Sequence, residues 1–211
     1  NSKSFAVAYT GKFGFQDVLI YDFEVCGGGQ DPFPLDYLKI ADFDNDGKND
    51  VLVRENASIN LYTSTTGNCD IIAALAVPPG RTEVTDFDRD GDLDVFIGNN
   101  VFENKTVTTN AAPSAPTSLV ASEAASSVTL SWTKATDDKT PASSLTYNLI
   151  IKRGPYIVVT DGIGATGNQS LTQRGNAGYA TSVKLYNLPK GVYTWSVQAV
   201  DEAYKVSTLA P

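Results

Sequence analysis

The chain has 211 residues, enough for one large or two ordinary domains, and its 42% hydrophobic content can supply a true core. A formal net charge of −8 and a pI near 4.5 argue against nucleic-acid binding through the overall field. The absence of His removes Ser-His-Asp and Cys-His nucleophile systems, His general bases and most zinc sites, and no apolar run is long enough to cross a membrane as a helix.

The chain contains no Met, so it is read as a mature product or a fragment. Val7-Ala8-Tyr9 and residues 14–21 are the first predicted strands. They recur 44 residues later as Val51-Leu52-Val53 and residues 58–65. Cys26 and Cys69 are separated by 43 residues, close to that period, which is compatible either with one disulfide or with two small buried thiols.

Tyr37-Leu38-Lys39-Ile40-Ala41 is a predicted strand that runs into an acidic loop, Asp42-Phe43-Asp44-Asn45-Asp46-Gly47-Lys48-Asn49-Asp50. The loop returns 44 residues on as Asp86-Phe87-Asp88-Arg89-Asp90-Gly91-Asp92-Leu93-Asp94, and an apolar run again follows it, Val95-Phe96-Ile97. Carboxylates this close repel one another unless a cation or water compensates them. Positions 1, 3 and 5 (Asp42, Asp44, Asp46; Asp86, Asp88, Asp90) can turn their oxygens toward one point. Gly47 and Gly91 permit the sharp turn, the backbone carbonyls of Lys48 and Asp92 can add an oxygen, and Asp50 and Asp94 close the site. All-oxygen ligands in a flexible loop suit Ca²⁺ better than Zn²⁺, copper or Mg²⁺. One such loop alone reads equally well as a solvated Asp-Gly turn; two in register point to two Ca²⁺ sites. An EF-hand is excluded because its position-12 Glu is replaced by Val53 and Ile97 and its flanking helices by strands. Phe43 and Phe87 are expected to point into the core beneath the loops.

Residues 1–107 then hold about 2.4 repeats of 44 residues, fewer than the roughly 4 to 8 blades that close a propeller ring. The expectation is a partial β-propeller whose ring is completed by further N-terminal sequence. Residues 108–117, small and containing two Pro, are expected to form a stiff linker. Beyond it, residues 128–132, 145–151, 183–185 and 193–199 alternate apolar with polar, as half-buried antiparallel strands do. Residues 118–211 are therefore expected to form a seven-strand sandwich with Trp132 and Trp195 in or near its core.

Glu55, Glu83, Glu103 and Asp137-Asp138 form no paired-carboxylate constellation and read as surface charge. Asn56-Ala57-Ser58, Asn104-Lys105-Thr106 and Asn168-Gln169-Ser170 match the N-glycosylation pattern, which has meaning only in a host that glycosylates Asn.

The repeated Asp-Phe-Asp-x-Asp-Gly-x-x-Asp followed by a hydrophobic strand resembles the FG-GAP/VCBS repeat of integrin-α-type β-propellers. Residues 112–119, 128–132, 135–141, 145–149, 175–178 and 188–201 resemble a fibronectin type III-like module that follows FG-GAP repeats in large secreted proteins of Gram-negative bacteria using type IX secretion. The resemblance implies an all-β protein, secreted or at the cell surface. It implies Ca²⁺ ligands at Asp42, Asp44, Asp46, Lys48 (backbone) and Asp50, and at Asp86, Asp88, Asp90, Asp92 (backbone) and Asp94. The expected function is a non-catalytic adhesion or interaction module whose partner is a glycan or a surface protein, with no nucleic acid and no membrane span. Two other readings stand beside it. One is an ancillary part of an extracellular polysaccharide-degrading enzyme with its active site elsewhere in a longer chain; the other is cargo held by the secretion translocon.

Overall fold

The computed structural model describes residues 2–10, 16–24, 37–55, 58–62, 75–76, 81–159 and 173–211. Cys26, Cys69 and the glycosylation motifs beginning at Asn56 and Asn168 involve residues outside that set. Among the described residues every regular element is a strand. The chain divides into two compact units, the first built mainly from Asp17–Asn110 and the second mainly from Ala111–Pro211.

In the first unit, β1 (Ser2–Thr10) and β2 (Gln16–Glu24) form a two-stranded sheet. They contain the expected 7–9 strand and most of the expected 14–21 strand. Next, β3 (Tyr37–Ala41), β4 (Asp50–Glu55), β5 (Ser58–Tyr62) and β6 (Leu75–Ala76) pair in sequence order as a four-stranded antiparallel sheet. Then β7 (Thr82–Thr85), β8 (Asp94–Ile97) and β9 (Asn100–Phe102) repeat the arrangement with three strands. Val51, Leu52 and Val53 are all buried, so β4 is covered on both faces, which is why its sequence is a continuous apolar run. In β7, by contrast, buried Thr82 and Val84 flank exposed Glu83. The two acidic loops are the β3–β4 and β7–β8 connections. Each ends at the last rung of its ladder, Ala41 opposite Asp50 and Thr85 opposite Asp94.

The second unit comprises β10 (Thr117–Ala124), β11 (Ser127–Thr133), β12 (Thr146–Arg153), β13 (Tyr156–Val159), β14 (Ser182–Tyr186) and β15 (Thr194–Val200). These form two three-stranded sheets, β10-β11-β14 and β13-β12-β15. Leu130 and Trp132 of β11 and Val183 of β14 share one hydrophobic cluster with Tyr147, Leu149 and Ile151 of β12 and Val197 and Ala199 of β15. The two sheets thus close on a common core. Trp132 is 5% exposed and meets Tyr147 edge-on, with ring centroids 5.6 Å apart; Trp195 packs against the same cluster. Two isolated bridges, Val197 with Ala210 and Val200 with Val206, lay the last residues along β15. β10 and β13 expose most of their residues and therefore carry no apolar alternation that would have announced them. Residues 111–116 have no regular structure, yet they are tied into this unit: Ala111 N–H donates to Asp138 Oδ1 and Ser114 N–H to Thr136 O.

A polar lattice backs the core. Asn176 accepts from Leu149 N–H at 2.8 Å and donates to Leu149 O at 2.9 Å, so its side-chain amide imitates a strand partner for β12. Gly175 is needed there because a Cβ would lie 2.2 Å from the Tyr147 carbonyl carbon. The Tyr147 hydroxyl accepts from Ala135 N–H at 3.1 Å in a buried position. Tyr147→Phe, which orphans that amide and leaves the ring, is expected to destabilise the second unit by about 1–2 kcal/mol in urea unfolding; an unchanged midpoint would show that the bond adds nothing.

Phe43 and Phe87 part company. Phe43 is 2% exposed, as expected, whereas Phe87 is 59% exposed and meets only the edge of Phe96 among aromatic rings of the described residues. Residues 104–108 reach back over the first loop, where Asn104 Nδ2 donates to Phe43 O at 2.7 Å. The residues 44 positions further on belong to β12, a strand of the second unit. Phe87→Ala is accordingly expected to shift stability by less than about 1 kcal/mol, against the roughly 3–5 kcal/mol usual for removing a buried Phe such as Phe43. Paired denaturant melts of the two variants check this.

Candidate metal centre

The two loops have the same backbone. Positions 4 and 6 are left-handed in both, with φ of 58° at Asn45 and 88° at Gly47, and 65° at Arg89 and 100° at Gly91. Gly at position 6 was legible in the sequence. The left-handed position 4 is comfortable for Asn45 but carries a steric penalty at Arg89.

This backbone bends each loop around its own carboxylates. In the first, Asp42 accepts from Asp46 N–H through Oδ1 and from Gly47 N–H through Oδ2, at 3.0 and 2.8 Å. Asp44 Oδ1 accepts from Asp46 N–H at 3.1 Å, and Asp50 Oδ2 from Phe43 N–H at 2.8 Å. In the second, Asp88 Oδ1 accepts from Asp90 N–H at 3.2 Å, and Asp94 Oδ2 from Phe87 N–H at 2.8 Å. The position-9 carboxylate thus staples the start of its own loop in both repeats.

As a result Asp42, Asp44 and Asp50 each offer an oxygen within 4.8 Å of the others, and Asp86, Asp88 and Asp94 do the same. These two clusters could hold metal ions. Asp46 and Asp90 fall outside the triads: Asp46 Oδ1 accepts from Lys48 N–H while its Oδ2 meets Lys48 Nζ at 3.4 Å, and Asp90 Oδ1 accepts from Asp92 N–H. Lys48 and Asp92 occupy position 7 of their loops, where the expected contribution is the backbone carbonyl.

The electrostatics fit a cation. Asp42 is 1% exposed, and burial, reinforced by the charges of Asp50, Asp46 and Asp44, pushes its carboxyl up to about 7. Burial and the charges of Asp90 and Asp94 raise Asp86, and likewise push Asp92 up to about 6. Asp86 Oδ1 and Asp92 Oδ1 are buried without a hydrogen-bond donor among the described residues. A hard cation supplies what such oxygens lack.

Sequence reasoning missed three participants. Asn45 is 2% exposed and its Nδ2 donates to Gly91 O and Thr108 O, at 3.3 and 2.9 Å. Asn104 N–H donates to Asp94 Oδ1 at 2.9 Å, and Thr106 N–H to Asp92 Oδ2 at 3.2 Å. The signal for the last two was the Asn104-Lys105-Thr106 triplet, read only as a glycosylation motif. Of the isolated carboxylates, Glu83 pairs with Arg81 and Glu103 with Lys105 on the surface, while Asp137 caps the Lys139 and Thr140 amides.

Residues 42–97, which contain both loops and the β4–β7 segment between them, match the model of the FG-GAP-like repeat. No curated protein matches the chain.

Proposed function

We propose that this chain is a calcium-stiffened, non-catalytic interaction module from the extracellular surface, built from FG-GAP-type propeller blades and a fibronectin type III-like domain. The observation that carries the reading is the duplicated site. Two loops 44 residues apart share one backbone and gather the same three carboxylates within 4.8 Å. A repeat match over residues 42–97 supports an interaction module rather than a catalyst. Glu83 and Glu103 sit in surface ion pairs and Asp137 caps a turn, which adds to that side. FG-GAP repeats occur in extracellular proteins, and no helix among the described residues is long and apolar enough to cross a membrane.

All-oxygen donors in a flexible loop suit Ca²⁺, with Asp42, Asp44 and Asp50 in one site and Asp86, Asp88 and Asp94 in the other. The ion would offset the mutual repulsion of the loop carboxylates and fix the β3–β4 and β7–β8 corners. It would thereby hold the blade surface in shape for a glycan or protein partner, with stabilisation that follows the ambient calcium level. Export by type IX secretion belongs to the same proposal and rests on the resemblance of residues 112–201.

The test is calcium titration by calorimetry on the intact chain and on its Asp44→Ala/Asp88→Ala variant, with melts in calcium and in chelator. Two binding events, absent from the variant, with a matching loss of calcium-dependent melting temperature, are expected. A parent chain that takes up no calcium would leave the loops as solvated turns.

A further inference from the structure

We propose that residues 104–108 act as a strap that couples the two metal sites, so that an ion in one loop raises the affinity of the other. The inference rests on the calcium reading above and adds to it a linkage between sites.

The strap repeats one pattern two residues apart: the N–H groups of Asn104 and Thr106 bond the second loop while their side chains reach the first. Asn104 N–H holds Asp94 Oδ1 of the second triad at 2.9 Å, while its side-chain amide donates to Phe43 O in the first loop and Leu93 O in the second, at 2.7 and 3.3 Å. Thr106 repeats the pattern. Its N–H reaches Asp92 Oδ2 at 3.2 Å, and its hydroxyl reaches the carbonyl of Asp44, a first-triad residue, at 3.3 Å. Thr108 O accepts from Asn45 Nδ2 at 2.9 Å, and that same amide reaches across to Gly91 O at 3.3 Å. Two residues of the strap, Asn104 and Thr106, therefore each grip both loops, and a buried Asn from the first loop grips the second.

The geometry shares an ordering cost. Asp94 has one oxygen fixed by Phe87 N–H of its own loop and the other by the strap. An ion in the first loop fixes Asp44 and its carbonyl, which anchors Thr106 and keeps Asn104 aligned on Asp94. The second loop then binds with less left to order, which is positive coupling without a change of fold. By reciprocity the second ion helps the first to the same degree.

The experiment uses the whole chain with calcium as the probe and follows the Gly47 and Gly91 amide resonances as separate reporters of each loop. Asp88→Asn disables the second site. Loop-one affinity, read at Gly47, is expected to fall about fivefold or more. In an Asn104→Ala/Thr106→Ala background the same Asp88→Asn change is expected to move it less than about twofold. Should that background fail to fold, Thr106→Val removes only the hydroxyl donor to Asp44 O and is expected to shrink the factor. Loop-one affinity indifferent to Asp88→Asn, or a factor undiminished by the strap changes, overturns the coupling and leaves calcium binding standing. No calcium response at either Gly in the unmodified chain overturns the calcium reading and the coupling with it.

Discussion

Asp94→Ala is expected to lower the melting temperature of the first unit by on the order of 15 °C in chelator, before any metal is considered. Asp94 is fully buried, and both its oxygens are engaged, one by Phe87 N–H at 2.8 Å and one by Asn104 N–H at 2.9 Å. Hydrogen bonds to a charged group contribute about 1.5–3 kcal/mol each, and alanine leaves both amides without an acceptor. Removing one carboxylate from an acidic cluster works in the opposite direction, by about 1 kcal/mol for a neighbouring charge about 4 Å away and screened by water, as exposed Asp88 is. The hydrogen bonds win, with a net loss of about 3 kcal/mol. Asp94→Asn separates the two effects, because it removes the charge and keeps one acceptor oxygen; it should fall between parent and alanine. Asp90→Ala is the contrast. Asp90 is exposed and accepts one bond, from Asp92 N–H, so its stability in chelator should stay within about 0.5 kcal/mol of the parent. Loss of slow hydrogen exchange at Phe87 and Asn104 is the local readout. An Asp94→Ala chain that melts within a few degrees of the parent would show that these two hydrogen bonds add no net stability.

Calcium affinity is expected to fall about tenfold between its high-pH plateau and pH 6, because Asp42 must lose a proton to bind and its carboxyl is held up near 7 by burial and its neighbours' charges. The metal-free protein should follow the opposite slope. A carboxyl whose folded value is raised above its unfolded one favours the folded state fully below the unfolded value, and that contribution disappears as pH rises through the folded value. In chelator the melting temperature should therefore decline from about pH 4 to 7, with Asp92, held near 6, acting in the same direction in the second loop. Saturating calcium should reverse the trend over the upper part of this range. Calorimetry at pH 6 in buffers of different ionisation enthalpy will report the released proton directly. A binding constant flat from pH 6 to 8, with no buffer dependence, would remove Asp42 from the site.

What the sequence made legible is local and periodic. The loops declared themselves because carboxylate spacing, Gly47 and Gly91, and the flanking apolar runs all lie within about one loop length of each other. β4, β8, β11, β12 and β15 followed from apolar patterning, and the burial of Trp132 from its place in such a pattern. The unread parts depend on contacts distant in sequence. The same Phe is buried at 43 and exposed at 87, a difference that the shared loop motif does not encode. Asn45, Asn104 and Thr106 are small polar residues with no periodicity, and their partners in the opposite loop lie 46 to 62 positions away. The carboxylates that lie within 4.8 Å of one another are those of positions 1, 3 and 9, while Asp46 and Asp90 each accept from the position-7 amide.

The side-chain nitrogen of Asn104 bears on how the protein can be produced. A secretory host that attaches sugar to Asn-x-Thr would place it on Nδ2, the atom that here donates to Phe43 O and Leu93 O. One of its two hydrogens would be replaced by a bulky hydrophilic chain. Transfer during translocation would then precede folding and exclude the native arrangement, so glycosylating cells should yield a mixture whose sugar-bearing fraction cannot close around its loops. Bacterial expression avoids that competition; Asn104→Asp also escapes the sugar but puts a carboxylate against two carbonyls.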